Sequence, residues 1–204
     1  MKIKAGIVGA AGFAGAELTR LLLRHPSFEL CAITSDALAG RALAEVYPAF
    51  AGASDLVFSK HDKSVLADLD VAFLAVPHTA SLAMTPELIA AGTTVIDLSA
   101  DYRLNDPAIY EKWYKVAHTS TDLLAKAAFG LPELTGDELA SAAARRAAGE
   151  AVLVACAGCY PTATSLAAAP FLRAGLVEEG ATVIVDALSG ITGAGKKATE
   201  RTHY

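Results

Sequence analysis

Three observations in the 204-residue sequence predict an α/β fold built on a doubly wound parallel sheet. Short apolar runs (IKAGIVG, FELCAIT, VAFLAV and TTVIDLS) alternate with longer segments of helical periodicity. A glycine pattern, Gly9-x-x-Gly12-x-x-Gly15, stands between the first apolar run and the first helical segment. The hydrophobic content of 53% and the length allow one complete domain and part of another.

Each element follows from its local pattern. IKAGIVG is apolar, β-branched and ends in glycine, so it reads as a strand, and residues 13–24 after it as a helix. FELCAIT and VAFLAV are the next strands, residues 81–91 a helix, and TTVIDLS another strand. Residues 104–130, with an aromatic segment at 110–114, break the rhythm and are expected to form an excursion over the sheet. Alanine-rich residues 136–148 favour a helix that a glycine stops. The strand AVLVA, a helix starting near Pro161 and running to about residue 174, and an apolar strand ATVIVDAL complete the reading. The division falls at 1–155 for a dinucleotide-type domain and 156–204 for the beginning of a second domain, whose roughly fifty residues are too few to close a mixed layer structure alone.

The net charge of −5 and the lack of a basic cluster argue against nucleic acid, whose phosphates demand a Lys/Arg stripe. No apolar run approaches the ~18 residues of a membrane span. Three cysteines and no charged-then-apolar leader point to a reducing, cytoplasmic setting.

In the glycine pattern, the glycines permit a tight turn, close approach of a pyrophosphate and close helix packing, while N–H groups at the helix start face the phosphates. An NAD-selective site carries an acid roughly 20 residues on, at the second strand's end. Thr34 and Ser35 stand there instead. A hydroxyl there can donate to a 2′-phosphate and Arg41 could add charge, which favours NADP; Asp36 keeps NAD open, because it could face the ribose or simply cap the following turn.

Cys159, in ACAGCYPT, lies between a strand and a helix, a nucleophile's position. A free thiol has a pKa of ~8.5. A helix N-terminus stabilises its anion by ~0.3 to 1 kcal/mol, less than one pK unit at ~1.36 kcal/mol each. A base is therefore needed, and histidine is the usual one. His25 ends a helix and His61 sits in a polar turn, so both read as solvated; His78 follows VAFLAV on the cofactor side; His118 lies undecided in the excursion; His203 is the remaining one. Cys156 and Cys159 also form a C-x-x-C, open to a redox disulfide or half a zinc site, but no second pair accompanies it and no metal is expected. Cys31, within a strand, reads as core. Gly190, Gly195 and Lys196 nearly satisfy a nucleotide-triphosphate loop, G-x-x-x-x-G-K-[ST], but Lys197 replaces the magnesium-binding hydroxyl.

Taken together, GIVGAAGFAGAEL, VAFLAVPHTAS, DLSADYRL, FGLPEL, AGCYPTA and LSGITGAGK resemble the N-acetyl-gamma-glutamyl-phosphate reductase family, related in fold to aspartate-semialdehyde dehydrogenase. The resemblance implies a Rossmann-type domain followed by the start of an α+β catalytic and dimerisation domain. It also implies an acyl phosphate substrate, NADPH as reductant, Cys159 as the nucleophile forming a thioester, and Arg103 as a substrate ligand. A guanidinium suits phosphate or carboxylate bidentately; the competing role is an ion pair with Asp101 or Asp106. Cofactor contacts are implied for Gly9, Ala11, Gly12, Phe13, Ala14, Gly15, Thr34, Ser35, Arg41, Pro77, His78, Ser99, Ser189 and Gly190. Cys156-Ala157 replaces the family's usual Asn-Pro, and the family's catalytic histidine is expected beyond Tyr204, in a longer, homo-oligomeric protein, dimer or tetramer. A related aspartyl- or aminoadipyl-phosphate reductase and a non-catalytic NADP-binding module are the alternatives.

Overall fold

The computed structural model describes residues 2–196. The chain forms β1 (Ile3–Val8), α1 (Phe13–Leu23), β2 (Phe28–Thr34), α2 (Leu43–Val46), β3 (Phe58–Ser59), α3 (Lys63–Leu66), β4 (Val71–Leu74), α4 (Ala80–Ala90) and β5 (Thr94–Asp97). Then follow α5 (Pro107–Tyr114), α6 (Thr121–Leu124), β6 (Ala128–Gly130), α7 (Pro132–Ala147), β7 (Leu153–Cys156) and α8 (Cys159–Arg173). The sheet order is β3-β2-β1-β4-β5-β7-β6, and every pairing in it is parallel.

A parallel sheet needs both faces covered, so its central strands are apolar throughout rather than alternating. Successive side chains point to opposite faces. Ile7 therefore packs with Leu22, Ile33 and Phe58 in one core, while its neighbour Val8 packs with Leu74, Val95, Tyr102 and Leu153 in the other. Each such fully buried side chain contributes about 1.5–3 kcal/mol, so the two cores hold the sheet. The chain winds outward from β1 to β3 and then restarts at β4 on β1's other side, which opens a crevice at the carboxyl ends of β1 and β4. Among the described residues no helix is long and apolar enough to cross a membrane.

Three expectations are corrected. Residues 104–130 are more than an excursion: they hold α5 and α6 and return as the edge strand β6, paired with β7 from Ala128↔Val154 to Gly130↔Cys156. The segment ATVIVDAL forms no strand; residues 181–190 adopt no regular element and Val183, Ile184, Val185 and Leu188 are exposed. A strand exists only through its ladder, and among the described residues nothing pairs with this one. Cys31 lies on the exposed side of β2 rather than in the core, because the first half of that strand alternates inward and outward.

The glycine loop gives a direct stability test. A Cβ added at Gly15 would stand 2.5 Å from the Ala10 Cα, whereas one added at Gly136 in α7 meets nothing within 4 Å. Gly15→Ala should destabilise by about 1–3 kcal/mol through overpacking, and Gly136→Ala should raise stability by about 0.5–1 kcal/mol, both read from thermal melts.

Candidate active site

The fingerprint loop joins β1 to α1. Gly9 adopts φ +84, and a side chain there would meet the Ala75 carbonyl oxygen at 2.5 Å, so both backbone conformation and space require glycine. Gly9 and Ala10 donate their N–H groups to the Thr34 carbonyl at 3.1 and 3.0 Å, which ties the loop to the end of β2. Gly12 differs: its missing side chain leaves open space, the nearest atom being the Gly9 carbonyl oxygen at 3.9 Å. Phe13 opens α1, whose start has no side-chain cap and no acidic residue. Ala11, Phe13 and Ala14 thus flank an uncapped helix start beside an open approach, an arrangement suited to an anion. This cradle fits the diphosphate of a dinucleotide.

Tyr47, which the sequence reading did not single out, closes the loop from the far side. Its hydroxyl donates to the Ala11 carbonyl at 2.6 Å and lies 3.3 Å from that of Gly12. The contact spans 36 residues, and no local pattern signals it.

At the end of β2 the structure corrects one role. Thr34 is fully buried and its hydroxyl is bonded to His61 Nδ1 at 2.6 Å, so that hydroxyl is not presented to a 2′-phosphate. His61 is correspondingly half-buried rather than solvated, and its backbone N–H donates to Asp36 Oδ1 at 2.9 Å. Asp36 holds the β3 end in this way. Ser35 N–H donates to the Ser59 carbonyl, and Arg41 is exposed with its guanidinium 3.6 Å from Glu45.

Past β4, Pro77 and His78 are exposed at the crevice. His78 Nδ1 accepts the Ala100 N–H at 3.2 Å, so the neutral ring carries its proton on Nε2 and offers a ligand a donor. Thr79 follows with φ 74, the left-handed region unusual for a branched residue, and its N–H donates to Asp101 Oδ1 at 2.9 Å. The same Oδ1 accepts the Tyr110 hydroxyl at 2.8 Å. Burial, reinforced by Asp101, pushes the Tyr110 phenol well up, so it remains a donor. Ser99 is buried and its hydroxyl donates to Asp97 Oδ2 at 2.8 Å, which makes it part of the wall beneath the crevice. Burial pushes the Asp97 carboxyl up, and three donors from Ser81 and Ser99 oppose that shift.

Cys159 is exposed and is the first residue of α8, not a residue ahead of a helix at Pro161. Pro161 falls in the first turn, where its missing N–H costs nothing. Arg103 shapes the approach: its Nε donates to the Cys156 carbonyl at 2.7 Å and its Nη2 to the Leu98 carbonyl at 2.6 Å. Its Nη1 lies against Gly158, where an added Cβ would be only 2.8 Å away. Arg103 is therefore a bridge between loops with one nitrogen turned to the residue before Cys159. Asp101 and Asp106 are engaged elsewhere, Asp106 capping α5 through the Ala108 N–H. Ser189 and Gly190 line, with Cys159, Tyr160 and Thr164, one cleft of about 720 Å³ along α8. Of the residue sets expected at the site, Arg103 thus stands against Gly158, the residue before Cys159, while Ser189 and Gly190 share a cleft with Cys159 itself.

The other thiols are held back. Burial, then Asp97, pushes the half-buried Cys156 thiol up against the opposing pull of Arg103. Burial, then Glu29, does the same to Cys31. His118 is buried and saturated: Nε2 donates to the Asp101 carbonyl at 2.9 Å and Nδ1 accepts the Ser120 N–H at 3.2 Å. It is a structural imidazole with no free lone pair for a thiol. His203 lies outside the described residues.

Two outcomes follow from these environments. Iodoacetamide at neutral pH should label Cys159 about an order of magnitude faster than Cys156, because the thiolate is the nucleophile and burial suppresses it at Cys156; peptide mapping over time reads this. Burial lowers the His118 pKa below its ordinary 6.5, so the unfolded chain takes up that proton first. Its stabilisation is present above about pH 6.5 and lost as the pH falls through the lowered folded value. His118→Gln should therefore reduce the drop in melting temperature between pH 7.5 and 5.5.

The semialdehyde dehydrogenase NAD-binding domain model matches residues 4–142, and the semialdehyde dehydrogenase dimerisation domain model matches residues 159–204. An N-acetyl-gamma-glutamyl-phosphate reductase of Janthinobacterium sp. (strain Marseille) is 46% identical over 202 residues, 99% of this chain and 56% of that protein. The protein of the same name from Symbiobacterium thermophilum is 43% identical over 100% of this chain and 56% of its own length. The chain spans about half the length of the curated relatives it matches. Among solved structures, aspartate semialdehyde dehydrogenase with NADP from Candida albicans matches at TM-score 0.59 and 17% identity, over 84% of this chain and 48% of that one. Aspartate semialdehyde dehydrogenase II from Vibrio cholerae, complexed with ASA, matches at TM-score 0.62 and 16% identity, over 85% and 47%, a likeness of fold. By sequence match over most of its length, the chain belongs to the semialdehyde dehydrogenase family.

Proposed function

We propose that this chain carries the cofactor site and nucleophile of an NADPH-dependent N-acetyl-gamma-glutamyl-phosphate reductase of arginine biosynthesis, acting in the reducing cytoplasm. The observation that carries the reading is Cys159, exposed at the first position of α8 with the Arg103 guanidinium against Gly158 beside it. The identity of 43–46% to reductases of that name, over 96–100% of this chain, supports the substrate.

The Cys159 thiolate attacks the acyl carbon of the acyl phosphate. The carbon–oxygen bond to the phosphate breaks, inorganic phosphate leaves with the bonding pair, and a thioester remains on Cys159. NADPH, when bound, supplies the hydride that reduces the thioester to the semialdehyde and releases the thiolate. Gly9, Gly12 and Gly15, with the start of α1, would hold its diphosphate, and Ser35, Arg41, Pro77, His78, Ser189 and Gly190 would border the bound dinucleotide. Ala11, Phe13, Ala14 and Ser99 complete the walls. Free N–H groups at the start of α8 and Arg103 Nη1 orient the anionic substrate. The α8 terminus contributes too little to ionise the thiol unaided, and His118 and His78 have Nδ1 occupied. The resemblance to the family implies a histidine base that lies outside the described residues. The two matched segments support a division near residue 156, with the second part building a homo-oligomer, dimer or tetramer.

In the intact protein, NADP reduction should depend on phosphate and on N-acetylglutamate semialdehyde, should fall at least a thousandfold in Cys159→Ser, and should be negligible with aspartate semialdehyde. Turnover of aspartate semialdehyde instead would reassign the substrate, and turnover retained in Cys159→Ser would remove the thioester mechanism.

A further inference from the structure

Lys196 ends the glycine-rich segment whose spacing nearly matches a triphosphate-binding loop, and it lies outside the matched NAD-binding segment 4–142. Its ammonium stands 4.4 Å from the centroid of the Tyr47 ring and 3.4 Å from the Tyr47 hydroxyl. That hydroxyl in turn donates to the Ala11 carbonyl. The ammonium is therefore one hydroxyl away from the fingerprint loop, though 149 residues separate Lys196 from Tyr47. Tyr47 is a firm platform: its ring packs edge-on to Phe50, its N–H donates to the Leu43 carbonyl, and it borders the core of Ile7 and Ile33. No carboxylate among the described residues pairs with Lys196, and the start of α1 has no acidic residue. A cation with no carboxylate partner among the described residues, one hydroxyl away from the loop that leads into the uncapped α1, raises the positive potential where N–H groups alone would otherwise meet an anion.

We propose that Lys196 is a ligand for the diphosphate bridge of the dinucleotide, delivered to the fingerprint loop by a cation–π seat on Tyr47. The inference rests on the dinucleotide reading of the loop and adds to it a ligand from the second sequence segment. Cation–π contact at an exposed site is weak, so the seat can release the ammonium to a doubly charged diphosphate without a large barrier. The motif that resembles a triphosphate loop then serves a phosphate of another kind, and cofactor binding fixes the segment whose Ser189 and Gly190 already line the cleft of Cys159.

The test is equilibrium binding of NADPH and of NADH to the full chain by isothermal titration, at low and at high salt, for the wild type, Lys196→Met, Lys196→Arg and Tyr47→Phe. Lys196→Met keeps the aliphatic stem and removes the charge. It should weaken both dinucleotides about tenfold at low salt, the scale of one lost charged hydrogen bond, and the loss should shrink at high salt as the charge is screened. Lys196→Arg should retain most of the affinity, and Tyr47→Phe should lose less than Lys196→Met. Unchanged binding in Lys196→Met, or a loss confined to NADPH, would overturn the assignment to the diphosphate while leaving the dinucleotide site intact. A wild-type chain that binds neither dinucleotide would overturn the cofactor reading itself, and this inference with it.

Discussion

The Arg103 guanidinium is the contact on which the arrangement of the site depends. It joins the Leu98 carbonyl, just past β5, to the Cys156 carbonyl at the end of β7, and presses its third nitrogen on Gly158. β5 and β7 are adjacent and parallel, with Asp97 opposite Ala155, so their carboxyl ends deliver two loops to one place, but strand pairing alone does not set the path of the chain beyond it. The bridge sets that path. Lysine could not reproduce it, because only a planar, forked group reaches two carbonyls and keeps an edge free for an anion. A group expected to bind substrate is thus also the strut of the turn that presents Cys159, and its geometry is determined before any ligand arrives.

A second polar hub, Asp101, serves the crevice in the same manner. One buried carboxylate oxygen holds Thr79 in a left-handed conformation and anchors Tyr110 of α5, while the Asp101 backbone carbonyl accepts a hydrogen bond from His118 Nε2–H. The loop carrying Pro77 and His78 therefore leans on a residue two positions from Arg103. The proposed cofactor crevice and the turn that carries Cys159 share one segment, residues 97–103, whose side chains hold each other below the surface. Substitution there should disturb both halves of the chemistry together, which separates this segment from the glycine loop, where the constraint is one of space.

What was legible in the sequence was whatever local chemistry dictates. β1, the glycine turn and α1 follow from apolar run, Gly9 and helical periodicity, and Cys159 at a strand-to-helix junction follows from AVLVA and the helix after it. What depends on partners distant in sequence was not legible. The Thr34–His61 pair arises because β2 and β3 align Thr34 with Ser59, and the Tyr47 contact with Ala11 joins residues 36 apart; no single run reveals either. The three-residue β6 is too short to leave a period, and the apolar run at 181–188 reads as a strand only because a pattern cannot say whether a neighbour exists. Arg103 stands out in the sequence through the family resemblance, with which guanidinium chemistry agrees; its role as a bridge rests on two backbone carbonyls that carry no sequence signal.

The most direct measurement is to incubate the protein with N-acetyl-gamma-glutamyl phosphate in the absence of dinucleotide, quench in acid, and locate the acyl group by peptide mass spectrometry. A thiol presented by the Arg103-held turn predicts one hydroxylamine-labile acyl group, on Cys159, appearing with stoichiometric release of phosphate. An acyl group on Cys156 or Cys31 instead, or phosphate release with no acyl-cysteine formed, would contradict the account.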